Sequence, residues 1–206
     1  MTGMPTLETT RLIIRPLVLD DLPAIHQILD VDLRDVDFGN EGAQTLSDRA
    51  AWLQWTVLSY EQLAQLNQPP YGERAVVLRH TGQLIGACGF VPCLAPFEQL
   101  PAFSRARSTT SDQFMTTELG LYYAIAPASH GHGYATEAAQ AMVAYAFRHL
   151  RLKRVVATTT HTNTASIGVM RKLGMQIDRN PYPEPPWLQV VGILESPSTA
   201  AGAPSA

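Results

Sequence analysis

Pro127-Ala128-Ser129-His130-Gly131-His132-Gly133-Tyr134-Ala135-Thr136-Glu137-Ala138 is the stretch whose reading decides the fold. Before it, residues 118–125 read as a strand that Pro127 stops; after it, residues 134–150 carry the clearest helical pattern in the chain. Ala135, Ala138, Ala139, Met142, Tyr145, Ala146 and His149 recur on one face of that helix, with Thr136, Glu137, Gln140 and Arg148 largely on the other. Glycines at 131 and 133 permit backbone angles that a Cβ forbids and let a ligand approach the main chain closely. The first N–H groups of a helix have no internal acceptor, so with the helix dipole they make a site suited to a diphosphate. Between Glu137 and Asp178 there is no acidic residue, whereas Arg148, Arg151, Lys153, Arg154, Arg171 and Lys172 all fall there, which leaves that field unopposed.

Two common phosphate motifs fit poorly. A P-loop needs Gly-Lys-Ser/Thr, and none follows Gly133. A dinucleotide-binding turn would end in threonine at 136 instead of glycine or alanine, and about 20 positions on it meets basic residues where an acidic ribose ligand is expected.

Working outward, residues 12–17 read as a first strand, with Asp20 or Asp21 capping a helix through Leu29. Residues 31–46 read as loop, and Ser47 as the cap of a second helix to Leu66 with Trp52, Trp55, Leu58, Leu63 and Leu66 on its apolar side. A hairpin pairs 75–78 with 84–90 across His80-Thr81-Gly82-Gln83. Residues 92–115, rich in proline, serine and threonine, read as a long loop beside a binding site. Residues 154–159 form a strand, Asn163 or Thr164 opens a short helix ending at Gly174, and a last strand lies near 188–194. This order predicts a mixed α/β fold with an antiparallel meander. The expected organisation is one domain over 1–195 and a disordered tail over 196–206.

Composition bounds the function. A net charge of −3 argues against general nucleic-acid binding, and no run approaches the roughly 18 apolar residues of a membrane span. Two cysteines, Cys88 and Cys93, make no disulfide framework, and the chain starts with no secretory pattern, so a cytoplasmic monomer or homodimer is expected. His130 and His132 have no evident third ligand, so no metal is expected.

Residues 127–138 closely resemble the acetyl-CoA motif of the GNAT superfamily, in the branch containing the ribosomal-protein N-terminal acetyltransferases. Residues 118–123 (Glu-Leu-Gly-Leu-Tyr-Tyr) resemble that branch's fourth strand. Asn163-Thr164-Ala165-Ser166 with 171–175 (Arg-Lys-Leu-Gly-Met) resembles its Asn-x-x-Ser and Lys-Leu-Gly segment, and 7–12 with Arg15-Pro16 its opening. The resemblance implies a GNAT acyl-CoA N-acyltransferase fold, in which a largely antiparallel mixed sheet is flanked by helices and two strands splay to admit the pantetheine arm. It implies acetyl-CoA as co-substrate, bound by Tyr123, Ala124, Ile125, Ser129, His130, Gly131, His132, Gly133, Tyr134, Ala135, Thr136, Asn163 and Arg171. The implied reaction is direct attack of an amine on the thioester, with a strand amide near Tyr122–Ala124 for the oxyanion, Glu118 as base and Ser166 as proton donor. The acceptor would be a protein N-terminus or a small-molecule amine. Glu184 is a second carboxylate candidate near the acceptor entrance. Tyr122, Tyr123, Trp52 and Trp55 read as core or pocket walls, and residues 31–46 and 92–115 as shaping the acceptor pocket. Some positions depart from the family: Ala128, His130 and His132 replace residues that are often larger or cationic, and Met170 stands where many members carry a tyrosine that serves as general acid. The alternatives are a catalytically silent acyl-CoA-binding module and a nicotinamide-dependent oxidoreductase.

Overall fold

The computed structural model describes residues 5–36, 42–69, 71–103 and 114–197. The chain divides into two compact units, one made of 1–91 with 121–145 and the other of 92–120 with 146–206. The strands are β1 (Leu7–Glu8), β2 (Leu12–Pro16), β3 (Gly72–Leu78), β4 (Leu84–Ala95), β5 (Thr116–Ile125), β6 (Arg154–Thr159), β7 (Gln176–Arg179) and β8 (Val190–Glu195). The helices are α1 (Leu22–His26), α2 (Leu46–Gln65), α3 (Tyr134–Arg148) and α4 (Thr164–Lys172). Mixed α/β architecture with a mostly antiparallel sheet is therefore what the chain adopts.

In the first unit the strand order is β1-β2-β3-β4-β5. The register runs Leu7↔Ile14 between β1 and β2, Ile14↔Val76 between β2 and β3, and Val76↔Gly86 between β3 and β4. β3 is buried from Arg74 to Leu78 without alternation, because both of its faces are covered. Ala75 and Val77 pack with Leu17 and with Leu53 of α2 in one cluster. A second cluster joins Ile25, Ile28, Leu29 and Leu33 to Ala87 and Ala124. Gly86 makes the close approach of β4 and β5 possible, since a Cβ there would lie 2.1 Å from the Ala124 carbonyl oxygen.

Several expectations for this unit change. Asp21 stands at the N-cap of α1 but makes no side-chain cap bond there; its carboxylate accepts from the Val18 N–H (2.9 Å) and from both terminal nitrogens of Arg15 (2.8 and 2.7 Å). Downstream of α1 the chain continues as a π-helical turn, Gln27–Asp32, so the loop expected from residue 31 starts later. The cap of α2 is Thr45 rather than Ser47: its hydroxyl oxygen accepts the Asp48 N–H at 3.2 Å and its hydroxyl donates to the Asp48 carboxylate at 2.6 Å. The buried face of α2 carries Arg49, Leu53 and Thr56, while Trp55, Leu58 and Leu66 are exposed at 63%, 56% and 68%. The expected apolar side thus points partly to solvent, because a buried ion pair at Arg49 fixes the helix rotation.

In the second unit the order is β5-β6-β8-β7. β6 and β8 pair antiparallel from Arg154↔Glu195 to Thr159↔Val190, and β7 adds antiparallel to β8. β5 and β6 are parallel, with Gly120↔Val156 as the paired position. The core joins Ala95, Phe97 and Leu100 to Val156, Leu188, Val191 and Ile193. Residues 92–103 are therefore not the start of a loop. β4 runs on to Ala95 with an in–out alternation through Cys93 and Ala95, and a 3-10 turn at Phe97–Gln99 inserts a fully buried Phe97. The rest of that expected loop, 104–113, lies outside the described residues, as does 198–206 of the expected tail; Ser196 is buried and donates its N–H to the Lys153 carbonyl at 2.7 Å. β7 had no sequence forecast. Both cysteines are free.

Candidate active site

The glycine turn is built as a cradle of unused donors. β5 ends at Ile125, the Ala126 N–H bonds the Ile85 carbonyl at 2.8 Å, and a 3-10 turn spans Pro127–Ser129. Gly131 and Gly133 then take φ of +78° and +81°, in the left-handed region that side chains avoid. The first bond inside α3 is Glu137 N–H to Gly133 carbonyl at 3.0 Å. Among the described residues, the N–H groups of 131–136 donate to no protein acceptor.

The carbonyls of the same turn are tied down by side chains. His130 Nε2–H donates to the Ile125 carbonyl at 2.7 Å, and His132 Nδ1–H to the His130 carbonyl at 2.8 Å. Arg11 Nη1 donates to the His132 carbonyl at 2.9 Å. With the Ile125, His130 and His132 carbonyls occupied and its donors open, the turn presents a positive surface in which the backbone supplies the charge. Both imidazoles brace the turn, and among the described residues no group of three His, Cys, Asp or Glu side chains is arranged to hold a metal ion.

Glu137 is the one acidic group in the first turn of α3, and it is neutralised from the segment between β1 and β2. Arg11 Nε donates to its Oε2 at 2.7 Å, the Arg11 N–H and the Thr9 hydroxyl donate to Oε1 at 3.0 and 2.6 Å, and Arg11 also lies 4.7 Å over the Tyr134 ring. Burial pulls this carboxyl's pKa upward, but the bonds from Thr9 and Arg11 outweigh it and hold the pKa below the ordinary value. Thr9 and Arg11 both stand in the quoted opening, yet their link to Glu137 spans more than 120 positions and leaves no local trace.

The other expected site residues are placed as follows. Tyr123, Ala124 and Ile125 lie on β5, the last two buried. Asn163 is the N-cap of α4, its Oδ1 accepting the Ser166 N–H at 3.0 Å, and Ser166 is half-buried in the first turn. Arg171 is exposed in the last turn of α4, and Glu184 is exposed. Met170 is fully buried; with Met175 it packs where a Cβ on Gly192 would fall. It serves the core. Glu118 is paired with Arg154, which grips both carboxylate oxygens through Nε (3.2 Å) and Nη2 and also bonds Glu195 at 3.2 Å.

One cavity, of about 140 Å³, was not foreseen as such. It is lined by Asp30, Gln44, Arg49, Trp52, Glu73 and Tyr122, with Leu29, Leu33 and Val36 beside them. Of the expected pocket walls, Trp52 and Tyr122 line it, whereas Trp55 faces solvent. Asp30 is buried and accepts from Arg49 Nε and Nη2 at 2.7 Å each, from the Gln44 N–H at 2.9 Å and from His26 Nδ1 at 3.0 Å. Burial pushes Asp30 toward its neutral form, and the bonds from Arg49 and Gln44 reverse that, leaving its pKa lowered. Glu73, on β3, has its pKa raised by burial, which outweighs a bond from its own backbone N–H and the nearby charge of Arg49.

A family model described as "Acetyltransferase (GNAT) domain" matches residues 11–176. The chain is 28% identical over 173 residues, 84% of its length and 83% of the relative's, to the Uncharacterized N-acetyltransferase YoaA of Bacillus subtilis. Its fold is similar to that of an acetyltransferase from Agrobacterium tumefaciens, with TM-score 0.68 and 23% identity, covering 94% of this chain and 96% of that one. It is also similar to RimL, a ribosomal L7/L12 alpha-N-protein acetyltransferase solved in complex with coenzyme A, with TM-score 0.61 and 16% identity, covering 93% and 95%.

Proposed function

This chain belongs to the GNAT acetyltransferase family, and from that premise we propose that it transfers acetyl from acetyl-CoA to a primary amine, with the coenzyme diphosphate seated on the N–H groups of 131–136. The observation that carries the reading is the cradle itself: donors open, glycines at positive φ, and carbonyls held away by Arg11, His130 and His132. Acetyl-CoA supplies the activated thioester. The coenzyme-bound RimL, of the same fold, supports that choice of donor.

The protein's own groups then have limited tasks. An acceptor ammonium, with pKa of about 8 at an α-amine or about 10 on an alkyl chain, must lose a proton before it attacks. A β5 N–H between Tyr122 and Ala124 donates to the developing oxyanion. Ser166, at the start of α4, gives a proton to the departing sulfur, whose thiol pKa is about 8.5. Glu118 is the less suitable base, because both of its oxygens are engaged by Arg154 and abstraction would break that ion pair. We assign it an anchoring role on β5. The acceptor is a protein N-terminus, as for RimL, an alpha-N-protein acetyltransferase, or a small amine.

Calorimetric titration with coenzyme A tests the cradle: no saturable binding would end the reading. Ser166→Ala should lower turnover about 100-fold, the lower end of general-acid effects, with coenzyme affinity unchanged. Unaltered turnover would remove Ser166 from the reaction.

A further inference from the structure

Beside the cofactor turn, the unit formed by 1–91 and 121–145 contains a second polar feature that the reaction scheme above leaves without a task, the cavity at Glu73. Buried or half-buried carboxylates elsewhere in this unit have cationic partners: Asp21 has Arg15, Asp30 has Arg49, and Glu137 has Arg11. Among the described residues no ion pair reaches Glu73. The guanidinium that shares its cavity, Arg49, is already occupied by Asp30 and stacked 4.7 Å over the Trp52 ring. Arg34, also on the lining, is exposed, so solvent screens its charge. A second acceptor on the lining is unpaired, since Gln44 Oε1 is buried with no hydrogen-bond partner among the described residues. Leaving such a group unsatisfied costs about 1–3 kcal/mol, so a lining with one unfilled amide oxygen beside a carboxylate that has no ion pair favours a guest that donates hydrogen bonds and carries positive charge.

Size and shape narrow the guest. The volume of about 140 Å³ is close to the ~150 Å³ of an engineered cavity that accepts benzene, so a compact group fits and a folded chain segment does not. Leu29, Leu33 and Val36 offer apolar wall to an alkyl portion, and Trp52 and Tyr122 offer aromatic surface. Tyr122 also brings the cavity against the β5 segment to which the scheme assigns the oxyanion donor.

We infer that this cavity is the acceptor subsite, taking the ammonium group of a compact aliphatic or benzylic amine, with Glu73 as its counter-ion and proton acceptor and Gln44 as a second hydrogen-bond partner. This inference rests on the acetyl-transfer reading. The ammonium gives one proton to the Glu73 carboxylate and becomes the neutral amine. Its lone pair forms the new C–N bond to the acetyl carbon while the C–S bond breaks and the sulfur leaves as thiolate. The amide nitrogen loses its surplus proton and the thiolate takes up one, so the charges balance, and Glu73 returns its proton to solvent. Burial, which raises the Glu73 pKa, makes the carboxylate a readier acceptor than it would be in water.

The test is Trp fluorescence and calorimetric titration of the full chain with propylamine, benzylamine and 1,4-diaminobutane, with 1-butanol as neutral control. At least one amine should saturate, butanol should not, and Glu73→Gln should weaken that amine at least 10-fold while its coenzyme A affinity stays within twofold of wild type. With an amine that turns over, Glu73→Gln should lower kcat as well as raise KM, whereas Gln44→Ala should act mainly on KM. Failure of every amine to saturate, equal binding by Glu73→Gln, or equal binding of butanol overturns the subsite. Coenzyme A binding by the wild type reports separately on the transfer reading, so its presence alongside any of those failures sinks the subsite alone.

Discussion

The glycine turn and the Glu73 cavity sit in the same unit and have opposite hydrogen-bonding character. In the turn the backbone supplies open N–H donors, and side chains occupy the carbonyls around them. In the cavity the side chains supply an open acceptor at Gln44 Oε1 and a carboxylate at Glu73 that has no ion pair among the described residues, while Arg49 is held by Asp30. An anion suits the first and a cation the second. The difference teaches that a backbone site tolerates substitution of its side chains better than its glycines, whereas a side-chain site depends on each carboxylate and on the ion pair beside it.

The largest effect should come from breaking the cavity's frame. Arg49→Met leaves Asp30, only 6% exposed, without its bidentate partner, and such a loss costs about 3–5 kcal/mol of stability. Urea unfolding measures it, and a change below about 1 kcal/mol would mean that the pair does not set the rotation of α2.

Next in size is Gly133→Asp. A side chain at φ +81° costs about 1–2 kcal/mol, and the new carboxylate would meet Arg11 Nη2, which lies 3.7 Å from the position of a Cβ there. Coenzyme A affinity should fall at least 100-fold in calorimetry. Retained affinity would show that the backbone is not what binds.

Arg11→Ala should weaken coenzyme A about 10-fold, since it releases the His132 carbonyl and uncovers the Glu137 carboxylate beside the cradle. Pairing it with Glu137→Gln sharpens the comparison. If charge masking is Arg11's main task, the double variant recovers most of the loss; if carbonyl restraint is, it recovers little.

Smallest is a stability effect of Glu73→Gln. Burial raises the Glu73 pKa in the folded chain, so the folded state is favoured when this group is protonated and pays an increasing cost as pH rises through its folded pKa. The variant should therefore melt above wild type at pH 7, with the gap closing as pH falls below about 4.3, the unfolded value. A gap independent of pH would assign the effect to packing.

The turn was legible because its signals are local. Gly131 and Gly133 stand just ahead of an alanine-rich amphipathic helix, and the chain adopts that strand, turn and helix at the expected positions. β6 is likewise found at 154–159, as its β-branched residues suggest. The misread regions have non-local causes. Residues 92–103 look like loop because prolines interrupt them, yet Ala95, Phe97 and Leu100 are buried by Leu188, Val191 and Ile193, about 90 positions away. The exposed Trp55 and Leu58 looked like core because hydrophobicity marks a helix face only when nothing stronger orients it, and here Arg49 with Asp30 does. For Glu118 the sequence names a carboxylate on a strand but not its partner, because only folding brings Arg154 to it.

By itself the sequence determined the mixed α/β class, the glycine turn and the register of a helix whose first amides are unused, since each follows from backbone angles and periodicity over a dozen neighbouring residues. Only the tertiary structure decided which charges are neutralised and which are left open. Arg11 reaches Glu137, Arg154 reaches Glu118, Arg49 reaches Asp30, and Glu73 is left facing a cavity. The physical reason is that an ion pair acts over a few ångströms in space and is indifferent to separation along the chain, so its partners become known only once the chain has folded.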